Sequence, residues 1–379
     1  MSLAFLFVPA IYLVANIYLY GWLVRMAGPS AGLRWFFRLA LFSLVVLYPI
    51  GKTLGRHDFN SYTYLLAYLS SVWMGISFFL ILLALASDLL RSLCRRVSCA
   101  PEIMARPTFG QKRFLAGLLV AGALFTAGGA MWEARQLGVT WIDIPLKGLP
   151  PEMDGFSIVH LSDVHYGMIM ENSRFSEIVG RVNQLQPDLV VFTGDLVDAG
   201  VSHMEEMAVP LSGLKARYGV LAVVGNHEYF AGVKRAVRIM EQAGIIVLRN
   251  QLAHVAGLQI LGIDDPTGYR RMGEPEPDFP PLLGAVDPKR PSIFLYHPPE
   301  HFEEAARAGI GLQLSGHTHG AQFLPIRPIS RLLYPRFRGL YQIDDSYLYV
   351  SRGVGTGGPP MRQGSPPEIV YLKLRATSP

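Results

Sequence analysis

The residues of this chain best suited to bind a metal gather in five short clusters, and each cluster directly follows an apolar run of strand length. Residues 156–161 run into Ser162, Asp163, Val164 and His165, and residues 189–192 into Thr193, Gly194, Asp195, Leu196, Val197 and Asp198. Residues 220–224 lead into Gly225, Asn226, His227 and Glu228, residues 293–296 into His297, and residues 311–314 into Ser315, Gly316, His317, Thr318 and His319. In α/β sheets ligands bind in the crevice beyond the carboxyl ends of the strands, so five such loops are expected to converge. Carboxylate oxygen, imidazole nitrogen and one amide oxygen form a mixed donor set. It suits Mn, Fe or Zn better than Mg or Ca, which prefer all-oxygen shells. Asp163, His165, Asp195, Asn226, His297, His317 and His319 are too many donors for one tetrahedral ion. They match two divalent transition-metal ions that share a carboxylate, suited to in-line attack on phosphorus with the ions about 3.5–4 Å apart.

Singly, these residues are ordinary. His297 before two prolines reads as a loop or core histidine, and Gly194-Asp195 as a turn. Their order and placement after strands separate them from that background. The motifs DxH, GDxxD, GNHE, a lone His and GHTH, in this order, resemble the signature of the calcineurin-like metallophosphoesterases. The segment from Pro145 to Asp163 and the ending 316–322 are similar to the bacterial membrane-associated or exported branch of that superfamily. The resemblance covers roughly residues 139–374. It implies a four-layer αββα sandwich in which one metal takes Asp163, His165 and His319 and the other Asn226, His297 and His317, with Asp195 bridging. It also implies that His227 lies beside the substrate phosphate as the catalytic residue, and that Asp198 and Glu228 orient the ligands from behind. Ala321 stands where close relatives often carry a second glycine.

The elements that must position these loops are legible from apolar pattern. Residues 139–146 predict an edge strand ended by Gly148, Leu149, Pro150 and Pro151. Short apolar runs at 156–161, 189–192 and 220–224 read as buried strands, and residues 173–185 and 233–243 as helices between them. Further strands are expected at 245–248, 258–263, 292–296, 311–314, 347–351 and 369–374, and a Pro-rich loop at 274–281. Strand and helix alternate as in α/β domains. Outside the clusters, His160 reads as a strand residue, His203 as part of a surface loop, and His57, His254 and His301 as structural or solvated. Asp264 and Asp265 read as a turn, and Arg270 and Arg271 as candidates to meet a substrate anion.

The first third has a different character. The 379 residues are 50% hydrophobic with a mean hydropathy of +0.28, high for a purely soluble protein. The excess lies before residue 135, in apolar spans at about 3–24, 35–54, 62–86 and 114–132, each of membrane-crossing length. The expected organisation is a transmembrane region of about four helices over 1–135 and a catalytic domain over 139–379. Arg38 inside the second span can snorkel to the interface. Asp88 is expected just past the third span, and Cys94 and Cys99 in one short loop, too few for a disulfide framework. With almost no ionisable residue away from their ends, the helices read as an anchor rather than a transport path.

Charge sets the orientation. One face collects Arg25, Arg34, Arg38, Arg91, Arg95, Arg96, Arg106, Lys112 and Arg113, and the other only Lys52, Arg56 and Arg135. The positive-inside rule makes the first face cytoplasmic and leaves residues after 132 on the outside of a bacterial inner membrane. Residues 1–138 carry 12 Lys and Arg against 4 Asp and Glu, a net of +8, so the formal +5 of the chain leaves −3 for the remainder. A slightly acidic domain is a poor nucleic-acid binder. These features lead to a membrane-anchored phosphoesterase acting on a phosphomonoester or phosphodiester, with lipid-linked and envelope substrates favoured by proximity. A cytoplasm-facing pyrophosphatase on a nucleotide-linked lipid precursor and an inactive scaffold are the competing readings.

Overall fold

The computed structural model describes residues 4–57, 60–96, 108–199, 201–273 and 275–377. The chain folds as two compact units, the helices up to Trp132 together with Gly358–Met361, and a mixed α/β unit of Glu133–Gly357 and the residues from Arg362 onward.

The helical unit contains α1 (Ala4–Ala27), α2 (Ala31–His57), α3 (Ser61–Arg96) and α4 (Phe109–Glu133). Each has a stretch long and apolar enough to cross a membrane. Ala84 on α3 and Ala116 on α4 share a small buried cluster with Trp22 and Met26 of α1. Arg38 lies with its guanidinium 5.1 Å from the Trp35 ring and 5.7 Å from that of Tyr20. The third helix corrects two expectations. At ~1.5 Å per residue its 36 residues extend about 54 Å, far beyond a ~30 Å hydrocarbon core. Residues 87–96 contain neither Gly nor Pro, so nothing stops the helix where the apolar run ends. Asp88 and Cys94 therefore lie on α3 instead of beyond it, and Cys99 is outside the described residues. Asp88 is held by Arg25 at 2.9 Å and by the Tyr18 hydroxyl at 3.0 Å.

Two six-stranded sheets form the second unit. The first has the order β1 (Gly138–Leu146), β12 (Glu368–Ala376), β2 (Ser157–Leu161), β3 (Leu189–Thr193), β4 (Val220–Val223), β5 (Ile245–Val247). The second runs β10 (Gly339–Ile343), β11 (Ser346–Val350), β9 (Leu312–Ser315), β8 (Ser292–Tyr296), β7 (Leu258–Ile263), β6 (Gln251–Val255). Strands β2 to β5 are parallel, as are β7, β8, β9 and β11, so each set points its carboxyl ends one way.

Burial shows four layers. Ile158, Leu189, Val191 and Leu221 of the first sheet share one core with Leu258, Ile260, Ile293, Leu295 and Leu312 of the second. The alternate residues, Val159, Leu161, Val190 and Phe192, face the other way against Phe175, Ile178 and Val182 of α5 (Asn172–Gln184) and Ala236, Ile239 and Met240 of α6 (Val233–Gln242). Phe294 and Tyr296 likewise cover Leu283 and Ala305 on short helices outside the second sheet. The order helix, sheet, sheet, helix follows from period-two alternation in strands buried on both faces.

Strands β6 and β10 are absent from the sequence expectation. Both are antiparallel edges with partly exposed side chains, so they lack the continuous apolar run that reveals a buried strand. The Pro-rich loop is shorter than expected because Phe279–Gly284 forms a helical turn; proline is tolerated in a first turn, whose N–H groups are unpaired anyway.

Candidate metal centre

All five clusters lie at carboxyl ends, three on the first sheet (β2, β3, β4) and two on the second (β8, β9). To aim side chains into the crevice the chain must turn sharply after each strand. Asp163, His165, Asp195, His317 and His319 all have φ between +50° and +70°, a region that costs a non-glycine residue roughly 1–2 kcal/mol. The neighbouring loops hold them there. The Asp163 N–H donates to Gly194 O at 3.1 Å, and the His165 N–H to Asp195 O at 3.0 Å. The His317 N–H meets both Asp163 carboxylate oxygens at 3.1 Å.

Glu228 ties the β3 and β4 loops together. It is fully buried. Its Oε2 accepts from Gly225 N at 2.7 Å and Asp195 N at 3.0 Å, and its Oε1 from Leu196 N at 2.6 Å and Val197 N at 3.1 Å. Gly225 leaves room for this approach, since a Cβ there would lie 2.3 Å from Asp195 Oδ1.

Three groups of donor atoms result, each within 4.8 Å of one another: Asp163 with His165 and His319, Asp195 with His297 and His317, and Asp195 with His165 and His227. Asp195 links them. Asn226 Oδ1 lies 3.1 Å from His317 Nδ1, which brings it to the second group. The two Nε2 atoms of His165 and His319 face each other at 3.0 Å across stacked rings. Nδ1 of His297 is fixed by Thr193 O at 2.6 Å, so its buried Nε2 points at Asp195 Oδ2, 3.1 Å away. Converging ring nitrogens and carboxylates, with a buried nitrogen lacking a hydrogen bond, are a donor set that fits transition-metal ions.

The electrostatics agree for His165, His317 and His319. Burial, reinforced by His227, lowers the His165 imidazole to about 4, and burial with His297 lowers His317 to about 4. His319 falls well below its usual range for the same reason, burial first and His165 second. These rings are held neutral, the form that ligates. For Asp195 burial works against charge, but His297 and His227 outweigh it and keep the carboxyl well below the ordinary range. His297 is driven the other way: despite burial, Asp195 raises it well above the ordinary imidazole range.

His227 is placed differently. Its Nδ1 lies 3.1 Å from Asp198 Oδ1, and its N–H donates to Asp195 Oδ1 at 2.8 Å. Burial opposes a charge on its ring, but Asp195 and Asp198 prevail and raise it to about 9. Asp198 thus steadies His227, whereas Glu228 acts on the backbone of the Asp195 loop.

Residues outside the clusters take other places. His160 is buried in β2 with Nε2 2.7 Å from Thr193 Oγ1, His254 is exposed on β6, and His301 stacks on Phe279 at 4.0 Å. The ring of His203 lies 5.8 Å from that of Tyr166. Asp265 caps the turn after β7 through Thr267 N at 2.7 Å. Asp264 corrects the simple turn reading: it is buried and holds Arg249 at 2.6 Å and the Tyr229 hydroxyl at 2.9 Å. Arg270 is an exposed partner of Glu276 rather than a free anion ligand. The side chains of His57 and Arg271 lie outside the described residues.

Two residues enter the site without having been expected. The Tyr334 hydroxyl is 2.9 Å from His317 Nε2, and the buried Arg362 reaches His319 Nδ1 at 3.3 Å. Arg362 belongs to a sixth strand-end loop, after β11, where Gly353 and Gly355 pass so close that a Cβ would meet Asp163 Cβ at 2.7 Å or Val164 O at 2.1 Å. A strand followed by a glycine-rich run was the signal for it. Tyr334, a lone aromatic after a helical turn, has none.

The Calcineurin-like phosphoesterase family matches residues 156–321. A metallophosphoesterase of Aquifex aeolicus is 38% identical over 247 residues, which are 64% of this chain and 94% of that one. A Danio rerio relative described as a transmembrane protein with metallophosphoesterase domain is 33% identical over 316 residues, 80% of this chain and 71% of that one. Its Bos taurus counterpart is 34% identical over 266 residues, and the chain spans only 59% of that protein's length. Relatives thus occur in bacteria and in animals.

Proposed function

Because the chain belongs to the calcineurin-like phosphoesterase family, we propose that it is a membrane-anchored, binuclear-metal hydrolase of phosphomonoesters or phosphodiesters. The observation that carries this is the set of three overlapping donor groups, in which His165 joins Asp163 and His319 to Asp195 and His227, and Asp195 joins these to His297 and His317. In this reading Asp163, His165 and His319 hold one ion, Asn226, His297 and His317 the other, and Asp195 belongs to both. Mn, Fe or Zn, when bound, supplies the charge that neutralises phosphate oxygens and activates a water.

The remaining work belongs to this chain's own side chains. Asp198 orients His227 through Nδ1 and favours the protonated ring, leaving Nε2 to donate to a phosphate oxygen or to the departing alcohol. Glu228 and the surrounding hydrogen bonds keep the three loops that hold left-handed residues, after β2, β3 and β9, from relaxing out of register. Asp163, His165, Asp195 and His297 are buried, while Asn226, His317 and His319 are partly exposed and form the open side of the crevice.

A lipid-linked substrate is supported by the segment that delivers Tyr334. On Leu324–Ile326 and Arg327–Leu333, the side chains of Leu324, Ile329, Leu332 and Leu333 are exposed, the last two at 82% and 67%, among Arg327 and Arg331. Leucines flanked by arginines suit an interface of acyl chains and anionic headgroups. The charge asymmetry of the four helices favours the non-cytoplasmic face for this site, and the bacterial relative supports a bacterial inner membrane. The test is to purify the full chain in detergent, load it separately with Mn, Fe or Zn, and assay aryl phosphate monoesters and diesters, phospholipids and nucleotide sugars. Metal-dependent hydrolysis is expected; a metal-loaded chain inert toward every ester tried overturns the reading. A reporter fused after residue 379 that is active only in the cytoplasm overturns the orientation.

A further inference from the structure

We propose that the helical unit carries a built site for one anionic diacyl phospholipid, at the end where α1 and α3 finish and α4 begins. That end is fixed by contacts within the unit: Arg113 Nε donates to Ala27 O at 2.8 Å, and Arg25 pairs with Asp88 at 2.9 Å. A cleft of about 550 Å³ opens there, lined by Arg25, Arg91, Arg95, Arg96 and Lys112 with Asp88. Asp88 is already engaged by Arg25 and the Tyr18 hydroxyl. Arg95, Arg96 and Lys112 have no acidic partner among the described residues.

Arg91 distinguishes this cleft from an ordinary basic rim. Among the described residues its Nη1 meets only the Met26 sulfur, at 3.0 Å, and its Nη2 is buried with no hydrogen-bond partner. A buried guanidinium N–H without an acceptor is costly, and a phosphate oxygen would satisfy it with a charge-assisted bond. Arg91 also lines a second cleft, of about 640 Å³, whose walls are Leu83 and Leu90 of α3 and Phe114, Leu115 and Leu119 of α4. The two clefts meet at one side chain, cationic on one side and apolar on the other. A phosphate headgroup with an attached acyl chain fills both; a free anion fills only the first, and a zwitterionic lipid brings its own cation into a surplus of positive charge. Basic pockets between membrane helices select anionic headgroups on this principle.

The experiment is native mass spectrometry of the full chain in neutral detergent, titrated with dioleoyl phosphatidylglycerol, dioleoyl phosphatidylcholine or inorganic phosphate. One phosphatidylglycerol is expected to remain bound per chain, about tenfold or more tighter than phosphatidylcholine, and excess inorganic phosphate should not displace it. The double variant Arg91→Gln, Lys112→Gln should lose that preference, whereas Arg135→Gln, outside the cleft, should keep it. Should the double variant fail to fold, Leu119→Trp, which fills the apolar cleft, should weaken phosphatidylglycerol binding on its own. Equal retention of the two lipids, displacement by phosphate alone, or an undiminished preference in the Arg91 and Lys112 variant or in Leu119→Trp would each overturn the proposal.

Discussion

Replacing Glu228 with Gln isolates what holds the Asp195 loop in place. The carboxylate accepts four backbone N–H groups, from Gly225, Asp195, Leu196 and Val197, at 2.6–3.1 Å. An amide keeps one oxygen for two of them and turns an NH₂ group on the other two. Hydrogen bonds to a charged acceptor contribute about 1.5–3 kcal/mol each, so the gross loss is about 3–6 kcal/mol. Relief from burying a charge returns part of that, and a net of about 3 kcal/mol corresponds to a melting temperature lower by roughly 6–12 °C in a domain of this size. Because Asp195 N is one of the four donors, the loop should also shift, and a displacement of ~1 Å at a reacting centre costs about 100-fold in turnover. Calorimetry of the full chain, with metal analysis and hydrolysis of an aryl phosphodiester, reads all three. A Glu228→Gln chain that melts within about 2 °C of the native protein and turns over normally would refute the reasoning.

Other variants separate the roles. His227→Ala should lower turnover by about 10²–10⁴ while metal content by elemental analysis stays unchanged; loss of metal would contradict its place beside the ligands. Asp195→Asn or His317→Ala should lose both turnover and metal, and retention of two ions per chain would remove them from the ligand set. Ala321 is buried with φ +58°, so Ala321→Gly should relieve roughly 1 kcal/mol of backbone strain and raise the melting temperature by about 2–4 °C, with activity intact; a lower melting temperature would show that the alanine methyl packs better than it strains.

What could be read in advance follows physical lines. Strands β2, β3, β4, β7, β8 and β9 are buried on both faces and announce themselves as apolar runs, so the loops after them were found with them. Edge strands β6 and β10 are half-exposed and do not. Within the site, donors that share a motif, such as Asp163 with His165 or His317 with His319, were legible because a strand end fixes their direction. Tyr334 was not, since its meeting with His317 depends on how residues 327–333 fold back over the crevice. The extension of α3 past residue 86 escaped notice for a related reason: hydropathy marks where a helix is apolar, whereas a helix stops only where its backbone is interrupted. Ala321 shows the reverse case: its left-handed backbone angle explains the glycine that close relatives often carry there, and the alanine of this chain departs from it.

The division of the donors between two sheets bears on the order in which the protein can assemble. Asp163, His165, Asp195 and Asn226 are carried by the first sheet, and His297, His317 and His319 by the second, with Asp163 and His317 separated by 154 positions in sequence. On the proposed ligand set neither half alone offers a complete site, so ions can enter only after the two sheets have docked. Once inside they would add a clasp between layers otherwise joined by apolar packing and by a few hydrogen bonds, such as those of His317 to Asp163 and of His297 to Thr193. Metal loading then becomes a late maturation checkpoint, and chelation should be felt first as loosening between β3 and β8, well before either sheet comes apart.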